Sequence, residues 1–149
     1  MAKLLSNRCL IIVLITLIFT QLLKGLLHCL LYRQFTFSRF FGDGGMPSTH
    51  AATASSLCTA CGIYCGLDSA AFAISVVVAM IVCRDAIGVR QATGKQASVI
   101  NDIVEVLHVF GSKALPDEKL KEFVGHTPLQ VAIGLAVGLI SALILATIL

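Results

Sequence analysis

Four apolar runs, at or near the length needed to cross a bilayer, take up most of the 149-residue chain and limit what it can fold into. The first, Cys9 to Leu23 (CLIIVLITLIFTQLL), is almost unbroken and continues past Lys24 to about Leu31. It lies too far from any small-residue cleavage site to be a removable signal peptide, so it reads as a retained spanning helix. Ala51 to Gly66 and Ser69 to Cys83 are each about the minimum length for a span, and Leu129 to Leu149 is full length. With 57% hydrophobic and only 13% charged residues, the chain is too apolar for a soluble domain of this size. The expected fold is all-α. It is a single small polytopic membrane bundle over residues 1–149, with about four transmembrane helices plus an amphipathic surface helix.

The surface helix is expected over Thr93 to Phe110. Val99, Ile103, Val106, Leu107 and Phe110 recur there at helical spacing, with Asn101, Asp102 and Glu105 on the other faces. Gly111 to Pro116 ends it, and Asp117 to Glu122 reads as a short solvated helix. Following the spans back and forth puts Lys24, Gly44 to His50, Arg84 to Arg90 and Gly125 to Pro128 at one membrane face. That face also carries Arg33, Arg39, Lys95, Lys113, Lys119 and Lys121, against Lys3 and Arg8 at the other end, so the positive-inside rule makes it cytoplasmic. The expected location is a bacterial plasma membrane. Nothing in the charge pattern resembles a nucleic-acid footprint. Cys9, Cys29, Cys58, Cys61, Cys65 and Cys83 all fall in or at the ends of apolar helices, where small buried thiols pack, and no metal site is expected. Gly134, Gly138, Ala142 and Ala146 repeat every four residues on the last span, a stripe that admits a close helix neighbour. That neighbour is either within the chain or in a homodimer through the Gly134/Gly138 face.

The polar clusters hold residues suited to phosphate chemistry. Pro47 suits a first helical turn, Ser48 and Thr49 can cap it, and the amides there form an anion site reinforced by the helix dipole. His50, one turn into the second span, is a candidate general acid. His126 stands just before Pro128 at the same depth, so the two imidazoles could divide attack on phosphorus and protonation of the leaving oxygen. Lys24, inside the first span, is costly there unless it meets an anion or a polar cavity. Arg90 offers a fork to phosphate oxygens, and Lys95 is next in rank. Asp85, between Arg84 and Arg90, is the carboxylate best placed to orient a catalytic group, or else it is a structural ion-pair partner.

The blocks GGMPSTHAA, RDAIGVRQATGKQA and GHTPLQV resemble the signature blocks of the divergent branch of the type 2 phosphatidic acid phosphatases, a group related to vanadium-dependent haloperoxidases. The resemblance covers roughly Lys24 to Gly138. The wider superfamily has K-x6-R-P, P-S-G-H and S-R-x5-H-x3-D on a helical bundle that binds phosphate. By that resemblance Pro47, Ser48 and His50 match the second block, with His50 as the acid. His126 matches the nucleophile, and Lys24 the first block's lysine. Thr49 replaces a glycine, Lys24 lacks its arginine-proline pair, and Lys119 and Lys121 lie where a serine-arginine pair would precede His126. Gln130 occupies the place of the aspartate that would orient the nucleophile.

The function expected is hydrolysis of a phosphorylated lipid, a phosphomonoester or isoprenoid phosphate, by a metal-independent and cofactor-free membrane phosphatase through a phosphohistidine. The rival is a non-catalytic membrane protein that binds an anionic lipid headgroup in the same pocket. A transporter subunit is a third reading, weakened by the absence of an internal repeat or a broken helix pair.

Overall fold

The computed structural model describes residues 6–32, 45–110, 119–122 and 125–149. Among these the regular elements are all helical: α1 (Arg8–Tyr32), α2 (Thr49–Cys65), α3 (Ala70–Arg84), a π turn (Asp85–Val89), α4 (Arg90–Val109) and α5 (Pro128–Ile148). The short helix expected at Asp117 to Glu122 is not formed over 119–122, and Asp117 and Glu118 lie outside the described residues.

Helix α1 starts on Asn7, whose side chain accepts from Leu10 N–H at 3.1 Å. Two ridges then run along it with a four-residue step. Leu14, Ile18, Leu22, Leu26 and Leu30 are exposed, while Ile12, Thr16, Thr20 and Lys24 are buried. Offset by two residues, the ridges lie on opposite sides of the helix. Apolar side chains therefore face outward and polar ones inward, the polarity of a helix set in lipid rather than water.

Helix α2 is the centre of the bundle and packs against α1, α3 and α5. Its sequence, THAATASSLCTACGIYC, is nearly all small residues, which lets three neighbours approach at once. At 17 residues, about 25 Å, it is the short member. Three stretches, Arg8–Leu30, Ala70–His108 and Pro128–Ile148, have the length and apolarity to cross a membrane. Of the four spans read from sequence, the second is thus a short, enclosed helix rather than an independently apolar one.

Sequence reading also ended the third span at Cys83 and began a separate surface helix at Thr93. The structure instead joins them: Ala70–His108 is one 39-residue helical stretch. No proline interrupts Arg84 to Thr93, and the π turn absorbs the change of phase. At about 58 Å the stretch is roughly twice the thickness of a hydrocarbon core, so α4 extends beyond what the slab holds along its normal. Val99, Ile103, Val106, Leu107 and Phe110 are exposed on it, as an amphipathic surface helix requires.

Helix α5 runs parallel to α2. Gly134, Gly138 and Ala142 are buried. A Cβ on Gly134 would lie 2.5 Å from Ser48 O, and one on Gly138 would lie closer still to Ala52 O. The small-residue stripe is therefore spent on α2, and the Gly134/Gly138 face is not available to a second copy as a dimer surface. Gly138→Leu is expected to destabilise the detergent-solubilised protein by about 1–3 kcal/mol, because the obstacle is backbone and cannot rotate away. A thermal midpoint equal to that of wild type would contradict this packing.

Candidate functional site

The site lies where the C-terminal half of α1, the N-termini of α2 and α5, and the π turn meet. Ala51, Ala86 and Val131 form a buried apolar cluster beneath it. Ser48 is the N-cap of α2, its Oγ accepting from Ala51 N–H at 3.4 Å. Its own N–H donates to Gln130 O at 3.2 Å, tying the starts of α2 and α5 together. Thr49 Oγ1 donates to Gln21 Oε1 on α1 at 2.9 Å. The first turn of α2 thereby begins at this end, with Ser48 and Ala51 N–H already paired, and a helix N-terminus is the kind of place that accepts anions.

His126 is held on two sides. Its N–H donates to Ala86 O at 3.0 Å. In a regular helix Ala86 O would take Arg90 N–H, but in the π turn that N–H goes to Asp85 O, which spares Ala86 O for His126. Gly125 makes the approach possible: its φ is +101°, and a Cβ there would lie 2.8 Å from Gln91 N. The other hold is Gln130. Thr127 N–H donates to Gln130 Oε1 at 3.0 Å and Gln130 N–H to Thr127 Oγ1 at 3.3 Å, a capping box.

That box also settles the histidine tautomer. A backbone N–H can only donate, so the atom facing it must be the amide oxygen. The same oxygen lies 3.3 Å from His126 Nδ1, which must then be the protonated nitrogen. Nε2 keeps its lone pair, as a nucleophile needs.

His126 is only 6% exposed. Burial pushes its pKa below the ordinary imidazole value of 6.5; the Gln130 bond opposes this, while the charges of Lys24, His50 and Arg90 push it down further. Those three groups thus act on one ring from α1, α2 and the start of α4. Lys24 is buried at 7% exposure, its Cε close to Gly45, where a Cβ would approach to 3.2 Å. His50 is exposed at the rim.

Two sequence candidates are placed differently. Asp85 does not orient a histidine; Oδ2 accepts from Arg90 Nε at 2.8 Å, the structural ion pair that sequence left open. Lys95 is exposed on α4, about 7 Å along the axis beyond Arg90, and is not among the charges acting on His126. Of the cysteines, Cys61 is buried and Cys58 Sγ donates to Ser75 O at 3.0 Å, both in helix packing. Sequence reading missed Gln21, the Ala86 carbonyl and the bonding of Asn101. Gln130 was placed by the resemblance, and the Thr127-x-x-Gln130 spacing was the signal for its capping box.

A cationic, histidine-bearing end on a helical bundle with exposed apolar flanks is that of a membrane-integral protein. The chain belongs to the divergent PAP2 family, whose pattern matches residues 5–141. It is also similar to the uncharacterized membrane protein YuiD of Bacillus subtilis (strain 168), with 37% identity over 153 residues covering 97% of each chain. No solved structure matches it.

Proposed function

We propose that the protein hydrolyses the phosphomonoester of a membrane lipid through a phosphohistidine. His126 Nε2 attacks phosphorus in line, and the P–O bond to the lipid alkoxide breaks as His50 donates its proton to the leaving oxygen. Lys24, Arg90 and the amides following Ser48 hold the nonbridging oxygens, with Thr49 beside them; Asp85 fixes the Arg90 fork. Water, deprotonated by His50, then cleaves the P–N bond and releases phosphate. The supporting observation is the hold on His126, whose Nδ1–H faces Gln130 while Lys24, His50 and Arg90 act on the same ring. The exposed leucine and isoleucine flanks support a lipid as the carrier of that phosphate.

The neutral Gln130 contact favours a second reading, headgroup binding without turnover, because an amide does not stabilise an imidazolium as a carboxylate does. Phosphate release from purified protein over phosphatidic acid, isoprenoid monophosphates and a soluble aryl phosphate separates the two. Turnover with an acid-labile phosphoprotein supports hydrolysis, and saturable vanadate binding without release on any substrate supports the rival.

The site is proposed to face the cytoplasm, since Arg84, Arg90, Lys95, Lys119 and Lys121 lie at that end. The exposed Cys65, at the opposite end of α2, is then expected to react with an impermeant maleimide added outside intact cells. Protection of Cys65 in cells, with labelling in inverted vesicles, would reverse the orientation.

A further inference from the structure

An amide on the polar side of an amphipathic helix is expected to face water. Asn101 does not: it is 8% exposed, and its side chain grips the segment leading to His126. Nδ2–H donates to Leu120 O at 2.9 Å and to Glu122 Oε1 at 2.8 Å, while Oδ1 accepts from Leu120 N–H at 2.9 Å. Taking both the N–H and the C=O of one residue fixes the backbone of Leu120 whatever its side chain does, and that side chain is left exposed. The nearby Lys119–Glu105 pair, at 3.6 Å between exposed groups, adds little.

The same segment is held again at the π turn, through His126 N–H on Ala86 O and Gly125 against Arg90 and Gln91. Leu120 and His126 are separated by six residues, a reach of at most about 20–22 Å. Their anchors, Asn101 and Ala86, are fifteen helical residues apart, about 22 Å. Both Leu120 and His126 are thus held on the same helical stretch, six residues apart in sequence, so the hold on Leu120 limits where His126 can sit.

We infer that Asn101 is a positioning residue for His126, setting through Leu120 where the imidazole sits relative to Lys24, His50 and Arg90. Its kinetic consequence rests on the phosphatase reading; its geometric consequence does not. Removing the clamp gives the segment freedom to lift from α4, exposes His126 and weakens its hold on Ala86 O.

The test uses diethylpyrocarbonate on the full detergent-solubilised chain, with modification of each histidine read by peptide mass spectrometry across the imidazole titration range. In wild type, buried His126 is expected to react at least about tenfold more slowly than exposed His50. Asn101→Ala should raise the His126 rate about tenfold and move its titration midpoint up toward the ordinary value, as burial and the Lys24, His50 and Arg90 charges relax, leaving His50 unchanged. Phosphate release should fall about 10- to 100-fold in kcat, with a smaller change in KM.

Should that variant fail to fold, Asn101→Asp carries the test. It keeps the acceptor for Leu120 N–H, loses both donated bonds and sets a carboxylate against Glu122, so adding Glu122→Gln should restore much of the His126 protection. Unchanged His126 reactivity and titration in the folded variants would overturn the inference. A wild-type protein that releases no phosphate from any substrate would sink the phosphatase reading alone, since the reactivity comparison still decides the role of Asn101.

Discussion

His126→Ala is expected to reduce phosphate release by about four orders of magnitude or more, because it removes the atom that forms the covalent intermediate and leaves only binding and charge stabilisation. His50→Ala, which removes proton donation to the leaving oxygen, should cost about 10²- to 10⁴-fold. Cys61→Ala, in helix packing away from the site, should leave the rate unchanged. Equal activity in all three would refute the assignment. The acid side of the pH–rate profile gives a second check. The nucleophile must be neutral, and burial holds the His126 pKa below the usual 6.5, so activity is lost only as pH falls through that depressed value. Gln130→Glu keeps an oxygen for Thr127 N–H and for His126 Nδ1–H but adds a charge that stabilises the imidazolium. Its acid limb should move to higher pH. Gln130→Met, with no acceptor for Nδ1–H, frees the tautomer and should lower kcat far more than it changes KM.

The parts of this architecture that sequence revealed are those set by one-dimensional patterns. Apolar runs gave the bundle, and alternating its direction brought Lys24, Ser48, His50, Arg90 and His126 to one end, where the structure has them. Pro128 signalled the start of α5, which sequence placed at Leu129 and the structure at Pro128 with Thr127 as its cap, because a proline at the first turn is local chemistry. Features that depend on two distant segments were not legible. The fate of the glycine stripe on α5 turned on whether α2 or a second chain filled it, and a repeat of small residues is the same in either case. Asp85 could have faced a histidine or an arginine, and only the phase of the helix, set by the π turn, turns it to Arg90. Asn101 looked like a solvated polar residue because its partner, the backbone of Leu120, carries no sequence signal. Gln130 was located through its family resemblance, yet the oxygen it shares between Thr127 and His126 follows from the capping geometry.

Deleting Gly88 is the other change with a large expected effect, and it tests whether the π turn is part of the site. In the π turn Arg90 N–H reaches back to Asp85 O, one residue further than in an α-helix, and Ala86 O is left for His126. Removing one residue lets the stretch close as a regular α-helix. Everything beyond it then rotates by about 100° and shifts by about 1.5 Å relative to α3. Arg90 turns away from the His126 ring, Ala86 O is recaptured by the helix, and Asn101 no longer faces Leu120. Loss of phosphate release by at least about 10³-fold is expected, from a misplaced nucleophile together with a lost cation. The helix itself should survive, since a regular ladder replaces a rare one, so thermal unfolding should move by only a few degrees. Gly88→Ala is the control: a Cβ there meets nothing within 4 Å, and alanine favours the helix, so activity and stability should both be retained. Full activity after the deletion would mean that the π turn is incidental and that His126 finds its place without the Ala86 carbonyl.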